Sequence, residues 1–493
     1  MSAAGTAPSP GPSPAPGELA RQVRSAVIWR SGTQIFSQVV AWASTFLVIR
    51  ILSPADYGLF AMTSVVLVLL SLLNGYGFAN AAIQQRDGGE QQLRQLFGLL
   101  LVINGALAAG QFFAAPWIAA YYRQSAVADL LRVQALIYLS TPFLALGYTV
   151  LSREMDFRRQ AQVNVGSALI GAFTALGCAL AGCGVWTLVF APLASFTSRG
   201  LGMAIAARAL VWPSFDFRGV RQLADYGGVV MIGQIFWFAQ SQADIVIAGR
   251  AFAPHELGLY TTSLFLAQIF VNKVVPPLNE VAFSAYARIQ DDTAAVAAGF
   301  LKSVRLIMTI ALPFCLGLAA VAEPAVHVAL GDKWLAAAPI VRLLALAMPF
   351  MTLYVLFGPA VSARGRPGIT TRCSVLGAVL MPIAYYIGVR FGAVGIAAAW
   401  LGAYPVMTAI GAAWSLPVIG VSARALRDAV LPPTLAALAM GLAVTLLDHA
   451  LPPLAQIARL AVLVGVGGAV YGGWLLLFAR AQLNEMIALV LKR

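Results

Sequence analysis

The sequence predicts an all-α polytopic membrane protein of about fourteen transmembrane helices: two six-helix bundles related by an internal repeat, plus two C-terminal helices. Three observations predict it. Of 493 residues, 60% are hydrophobic and only 10% charged, against about 25% charged in soluble domains, and so few charges cannot cover that much apolar surface in water. Apolar segments of about 20 residues recur along the chain, the length a helix needs to cross roughly 30 Å of hydrocarbon. A shift of 200 positions, finally, lays one stretch of the chain on another without a gap.

Residues 1–17, MSAAGTAPSPGPSPAPG, have neither a basic nor an apolar region. Residues 1–20 therefore read as a disordered, Pro-rich cytoplasmic tail and not as a signal peptide. Residues 21–215 hold six apolar segments, centred near Val40, Leu69, Leu107, Leu139, Ala172 and Ser195. Residues 216–420 hold six more, near Ala239, Phe270, Leu312, Met348, Leu380 and Leu401. Residues 421–493 add two, near Leu438 and Gly468, and a cytoplasmic tail. The pairs around Gly182 and Phe391 each admit a reading as one long span, which gives twelve.

Orientation follows from the loops. One alternate set, with its span ends, carries 21 basic residues, among them Arg153, Arg158, Arg159, Arg364 and Arg366; the other carries 8, among them Arg50, Arg123, Arg250 and Lys333. Cytoplasmic loops are the basic ones, so both termini are expected in the cytoplasm. The net charge of +13 is spread singly between apolar runs, which is a topological signature and not a nucleic-acid footprint. No room is left for a globular catalytic domain, which disfavours ATP-driven pumps, cytoplasmic glycosyltransferases and sensor kinases. The four cysteines show no CxxC spacing, the three histidines lie far apart, and no phosphate loop, GxSxG or HExxH occurs. No cofactor, metal site or catalytic residue is expected.

The repeat pairs residues 34–60 with 234–260, with eight of 27 positions identical: Gln34/Gln234, Ile35/Ile235, Phe36/Phe236, Ala43/Ala243, Arg50/Arg250, Pro54/Pro254, Gly58/Gly258 and Leu59/Leu259. Span 1 thus corresponds to span 7, an even offset, so the halves share one orientation. Transporters of this plan bind substrate between the halves and expose it alternately to each side. The second span of each half is interrupted at corresponding places, by Asn74-Gly75-Tyr76-Gly77 and by Lys273-Val274-Val275-Pro276-Pro277. Paired interruptions point to a binding site, although an ordinary kink explains them equally well.

A charge deep in a bilayer costs at least ~2.5–3.5 kcal/mol and needs a reason. Lys273 lies near the centre of span 8 beside Asn272, while Arg50 and Arg250 occupy equivalent outer span ends. Together with Asn74 they are the candidate substrate-binding residues of a cationic central cavity suited to a phosphate, a pyrophosphate or acidic sugars. Asp244, in the outer half of span 7, is the candidate coupling residue or the charge partner of Lys273. Arg199 and Arg305 read as snorkelling side chains.

The stretches Arg50-Ile-Leu-Ser-Pro-Ala-Asp-Tyr57-Gly58-Leu59, Gly77-Phe-Ala-Asn-Ala-Ala-Ile-Gln84, Arg153-Glu-Met-Asp-Phe157, Val275-Pro276-Pro277 leading to Ala287-Arg-Ile-Gln-Asp-Asp292, and Gly331-Asp-Lys-Trp334 come in this order. In order and spacing the chain resembles the bacterial Wzx-type polysaccharide flippases of the multidrug/oligosaccharidyl-lipid/polysaccharide exporter superfamily. Over about residues 25–420 it is most similar to their colanic-acid and xanthan branch. The resemblance implies a multi-pass protein of the bacterial inner membrane that moves an undecaprenyl-pyrophosphate-linked oligosaccharide to the periplasmic leaflet. There a polymerase and export machinery would use it for exopolysaccharide or lipopolysaccharide. It also implies two bundles around a central cavity, with the last two spans peripheral, and cavity-lining charges that Arg50, Arg250 and Lys273 are placed to supply. A lipid II flippase and a drug/cation antiporter of the same superfamily are the alternatives. A sugar transferase ranks last, because Asp291-Asp292 is the one acidic pair seen.

Overall fold

The computed structural model describes residues 38–74, 90–208, 211–216, 220–478 and 480. The expected tail, the repeat pairs at Gln34, Ile35 and Phe36, the Gly75–Gly77 interruption, the stretch Gly77–Gln84 and both termini lie outside them. Within the described residues the chain is helical, with no strand. The first half contributes α1 (Gln38–Ile51), α2 (Pro54–Ser71), α3 (Glu90–Tyr122), α4 (Ala126–Gln134), α5 (Ile137–Arg153), α6 (Phe157–Leu180) and α7 (Thr187–Ala206). The second contributes α8 (Val220–Ala251), α9 (Pro254–Lys273), α10 (Val275–Arg288), α11 (Thr293–Ala320), α12 (Ala322–Leu330), α13 (Ala338–Ala363), α14 (Pro367–Gly388) and α15 (Gly392–Ile419). Two more follow, α16 (Ala423–Ala450) and α17 (Gln456–Phe478).

Each of the fourteen apolar centres falls within a helix. By length and apolar character, ten stretches of the described residues qualify as membrane spans, and one of them, 367–419, is two helices joined by a 3-10 turn. The short helices α4, α10 and α12 are additions that apolar run length alone does not reveal.

Caps start the helices where local chemistry demands. Ser53 accepts from the Asp56 N–H at 3.3 Å while Asp56 accepts from the Ser53 N–H at 2.9 Å, with Pro54 at the first helical position. This reciprocal pair satisfies two amides that the helix itself leaves open. The repeat keeps Pro254 and an acid, Glu256, at the same places, but Ala253 supplies no side-chain cap. Asp156, Asp292 and Ser422 cap α6, α11 and α16 with a single side-chain bond each. At the other end, Gly420 takes the left-handed conformation that closes α15.

The largest apolar core joins the two halves: Ile49, Met62 and Tyr122 pack in one cluster with Leu257, Tyr260, Trp334 and Trp400. A second cluster seats α16 and α17 on the second half, through Ala436, Met440 and Tyr471 against Ile307 and Met308. The Tyr471 hydroxyl donates to the Thr309 carbonyl at 2.7 Å, and Arg459 holds Asp448 through bonds of 2.6 and 2.9 Å.

Candidate functional site

Where the halves meet, the repeat becomes a reciprocal contact. α2 packs against α9, and a Cβ placed on Gly58 would fall on the Pro254 carbonyl, just as one on Gly258 would fall on the Pro54 carbonyl. Small residues allow such close backbone approach between helices in a membrane. At this position nothing larger than glycine fits in either half.

The same end carries Arg50 and Arg250. Arg50 leaves the end of α1 and donates to the carbonyls of Val328 and, at 3.3 Å, Ala329, near the C-terminus of α12 in the second half. Arg250 leaves the end of α8 and donates at 2.5 Å to the Tyr121 carbonyl near the C-terminus of α3 in the first half, its guanidinium 5.0 Å from the Tyr121 ring centre. A cation at a helix C-terminus satisfies open carbonyls and meets the negative end of the dipole, worth about 0.3–1 kcal/mol. The end of α1 is served in turn by the second half: Lys333 donates to the Ile51 carbonyl at 2.7 Å and the Trp334 indole to the Ile49 carbonyl at 3.0 Å. Trp334 is fully buried and meets the Tyr57 ring edge-on at 5.6 Å. The stretch Gly331-Asp-Lys-Trp334 is therefore a clasp between the halves.

Of the acids at the two helix starts, Asp56 caps its own helix and Glu256 stitches the second half. Asp56 lies 3.2 Å from where a Gly184 Cβ would sit. Glu256 accepts from the Ala393 N–H at 2.9 Å. Their signal was legible as an acid in the first turn after an N-terminal proline, at positions 56 and 256 alike.

A cavity of about 520 Å³ lies elsewhere, lined by described residues between Trp237 and Ser415, all in the second half. Gly358, Val361, Ile369 and Thr370 place it toward the ends of α13 and α14 away from Arg50. No described lining residue is charged; the polar ones are Gln240, Ser241, Gln242, Gln268, Asn272, Thr370, Ser374, Ser415 and the hydroxyl of Tyr354, with Cys373 beside them. Trp237 is 46% exposed. Trp400 and Tyr404 stack at 5.1 Å along one wall, and Tyr354 meets Tyr404 edge-on. The amide of Gln240 shares this lining with Tyr404 and lies where a side chain at Gly377 would have to go. Behind the wall, the Trp400 indole donates to the Tyr260 hydroxyl at 2.8 Å, which donates at 2.6 Å to fully buried Asp244.

Of the residues expected at the site, the structure brings Asn272 to this cavity. Lys273 is the last residue of α9, just before the break at Val274; it is exposed, with no hydrogen bond or ion pair to a described residue. Asp244 is not its partner, because Tyr260 and the Ile245 N–H hold that carboxylate. The pairing fails because a buried acid finds neutral donors on its own and the neighbouring helix, while Lys273 stays outside the packed core. Arg50 and Arg250 lie at the closed end and Asn74 in the turn that follows α2, its carbonyl accepting from Asn104 at 3.0 Å. The cavity also departs from the expected cationic cleft between halves: its described walls are neutral and belong to one half. Trp237, Gln240, Gln268, Trp400 and Tyr404 were not anticipated. A polar residue in each case would have stood out only by subtracting one half from the other, since Gln240 and Gln268 correspond to Val40 and Val68.

The fold matches solved membrane transporters. The chain aligns over 92% of its length with all of "Lipid II flippase MurJ, inward closed conformation" (TM-score 0.74, 13% identity). It aligns over 82% of its length with 99% of an inward-facing multidrug resistance MATE family transporter (TM-score 0.61, 14% identity). The molecule thus has the fold of these multi-pass membrane proteins. Residues 47–339 match the family described as "Polysaccharide biosynthesis protein", and the chain belongs to that family. It is similar to the succinoglycan biosynthesis transport protein ExoT of Rhizobium meliloti, 27% identical over 89% of each chain. It is similar also to the teichuronic acid biosynthesis protein TuaB of Bacillus subtilis, 23% identical over 86% of this chain and 88% of that one. A third relative, the lipopolysaccharide biosynthesis protein WzxC of Escherichia coli, is 23% identical over 71% of this chain and 72% of its own.

Proposed function

We propose that the protein translocates an undecaprenyl-pyrophosphate-linked oligosaccharide from the cytoplasmic to the outer leaflet of the cytoplasmic (inner) membrane, by alternating access of two six-helix bundles, residues 21–215 and 216–420. Fourteen crossings with both termini in the cytoplasm belong to the same reading, which makes the Arg50 end the external one. The observation that carries it is the placement of the closure: the halves clasp one another at the Arg50 end, while a polar cavity lies toward the opposite helix ends. A sugar cannot cross hydrocarbon unaided, since each hydroxyl without a partner costs several kcal/mol. A polar surface that faces one side at a time removes that cost. Lys273, one residue beyond Asn272, is the cation offered to the pyrophosphate. Arg50 and Arg250, carbonyl-bound in this state, are freed toward the path when the clasp opens. A polymerase and export machinery would then consume the product outside.

The test is the lipid-linked saccharide pool of a deletion strain complemented with the wild type or with Lys273→Ala. The reading expects the pool to accumulate and polymer export to stop in the deletion, wild type to restore both, and Lys273→Ala to restore neither. Asp244 is the observation that favours a second reading, a cation antiporter, because a buried carboxylate within the spans suits cation uptake. That reading expects an unchanged pool and increased sensitivity to cationic drugs.

A further inference from the structure

The cavity in the second half has a chemistry that the pyrophosphate does not explain. An anion there would find no cation in the described walls, and an unpaired charge taken out of water is strongly disfavoured. What the walls offer is amides, hydroxyls and aromatic rings. Amides donate and accept at once, which matches a hydroxyl that does the same. Part of this capacity is unused. Asn272 donates to the Gln268 carbonyl oxygen at 3.3 Å, and among the described residues the Gln268 amide nitrogen has only the Met351 sulfur, at 4.0 Å, too far for a strong bond. Trp237 is 46% exposed and its ring has no ring partner among the described residues. An indole that lines the cavity suits the apolar C–H face of a sugar ring.

We propose that this pocket is the saccharide subsite: it binds uncharged sugar rings of the cargo, with Trp237 as the stacking surface and Gln240, Gln268 and Asn272 as the hydrogen-bonding groups. The proposal rests on the flippase reading and adds to it that sugar and pyrophosphate are held by different side chains, the neutral ones of the pocket and the cation that follows Asn272. The volume of about 520 Å³ lies within the 300–1,000 Å³ typical of small-molecule sites. It admits a short run of rings and not a whole lipid-linked unit. Gly377 belongs to the site indirectly, because its missing side chain is what leaves room for the Gln240 amide in the lining.

The experiment uses the full chain in lipid nanodiscs and two probes: the lipid-linked saccharide extracted from the deletion strain, and undecaprenyl pyrophosphate without sugar. Wild type, Trp237→Ala, Gln268→Leu and the milder Asn272→Ser are compared, with thermal unfolding of each confirming a folded protein. The proposal expects affinity for the saccharide-bearing lipid to fall about tenfold in Trp237→Ala and Gln268→Leu, the scale of one lost hydrogen bond or ring contact. Asn272→Ser falls less, and affinity for the bare pyrophosphate is unchanged throughout. Variants that bind the saccharide-bearing lipid like wild type overturn the subsite and leave the flippase reading standing. An equal loss for both probes overturns it too, because the pocket would then not distinguish sugar from pyrophosphate. If wild type binds neither probe, the flippase reading itself fails and takes the subsite with it.

Discussion

At the closed end, Gly58 and Gly258, Pro54 and Pro254, and Arg50 and Arg250 occupy equivalent places and act on the opposite half in equivalent ways. Farther along the same pair of helices the equivalence ends. Gln240, Gln268, Asn272 and Lys273 of the second half correspond to Val40, Val68, Leu72 and Leu73 of the first, and buried Asp244 and Tyr260 correspond to Ser44 and Phe60. A closure between two related bundles needs the same shape from both, so the repeat persists there. Polar groups are costly in a membrane and need partners, and the described ones that line the cavity all come from the second half.

That comparison can be broken by substitution. The largest effect is expected at the glycines. Gly58→Ala and Gly258→Ala each drive a methyl into a proline carbonyl, an overpacking cost of about 1–3 kcal/mol, and each should cut translocation in proteoliposomes by about tenfold. A large effect of one and none of the other would show that the closure is not shared equally. Next comes Asp244→Ala, which strands the fully buried Tyr260 hydroxyl and should lower unfolding stability by about 1–3 kcal/mol. Its first-half counterpart Ser44→Ala, which loses one long bond of 3.4 Å to Ala172, should stay within about 0.5 kcal/mol.

Arg50→Ala and Arg250→Ala are expected to weaken the clasp by similar amounts, about 1 kcal/mol each, with Lys substitutions recovering part of it. Thiol labelling of an Ile49→Cys reporter, at a position 1% exposed in the closed state, measures the opening; unequal gains in the two alanine variants would sharpen which arm dominates. The smallest effect is at Val68. Val68→Thr should leave translocation within about twofold, because the first half contributes no described side chain to the cavity.

Much of this fold was legible beforehand because bilayer thickness sets the length of an apolar run, and the fourteen run centres fall in helices. The pairing of Gly58 with Gly258 was visible as an identity at a shift of 200. That each would press on the other half's proline was not, since identity in a repeat says nothing about which copies touch. The clasp was hidden for a different reason. Lys333 and Trp334 reach backbone carbonyls more than 280 positions away, and a carbonyl carries no mark in the sequence of who will donate to it. The pocket was hidden by its neutrality. Lys273, Arg50 and Arg250 stand out in the sequence because a charge in a membrane demands a reason, whereas a glutamine in an apolar helix stands out only against the valine of its counterpart in the other half.

The most direct test of the central claim is translocation of the extracted lipid-linked saccharide in proteoliposomes, read by its oxidation with periodate added outside. The account predicts that wild type carries oxidation beyond the outer-leaflet share toward completion, while Gly58→Ala and Gln268→Leu stop near that share. Oxidation limited to the outer leaflet with wild type, as in protein-free vesicles, would contradict it.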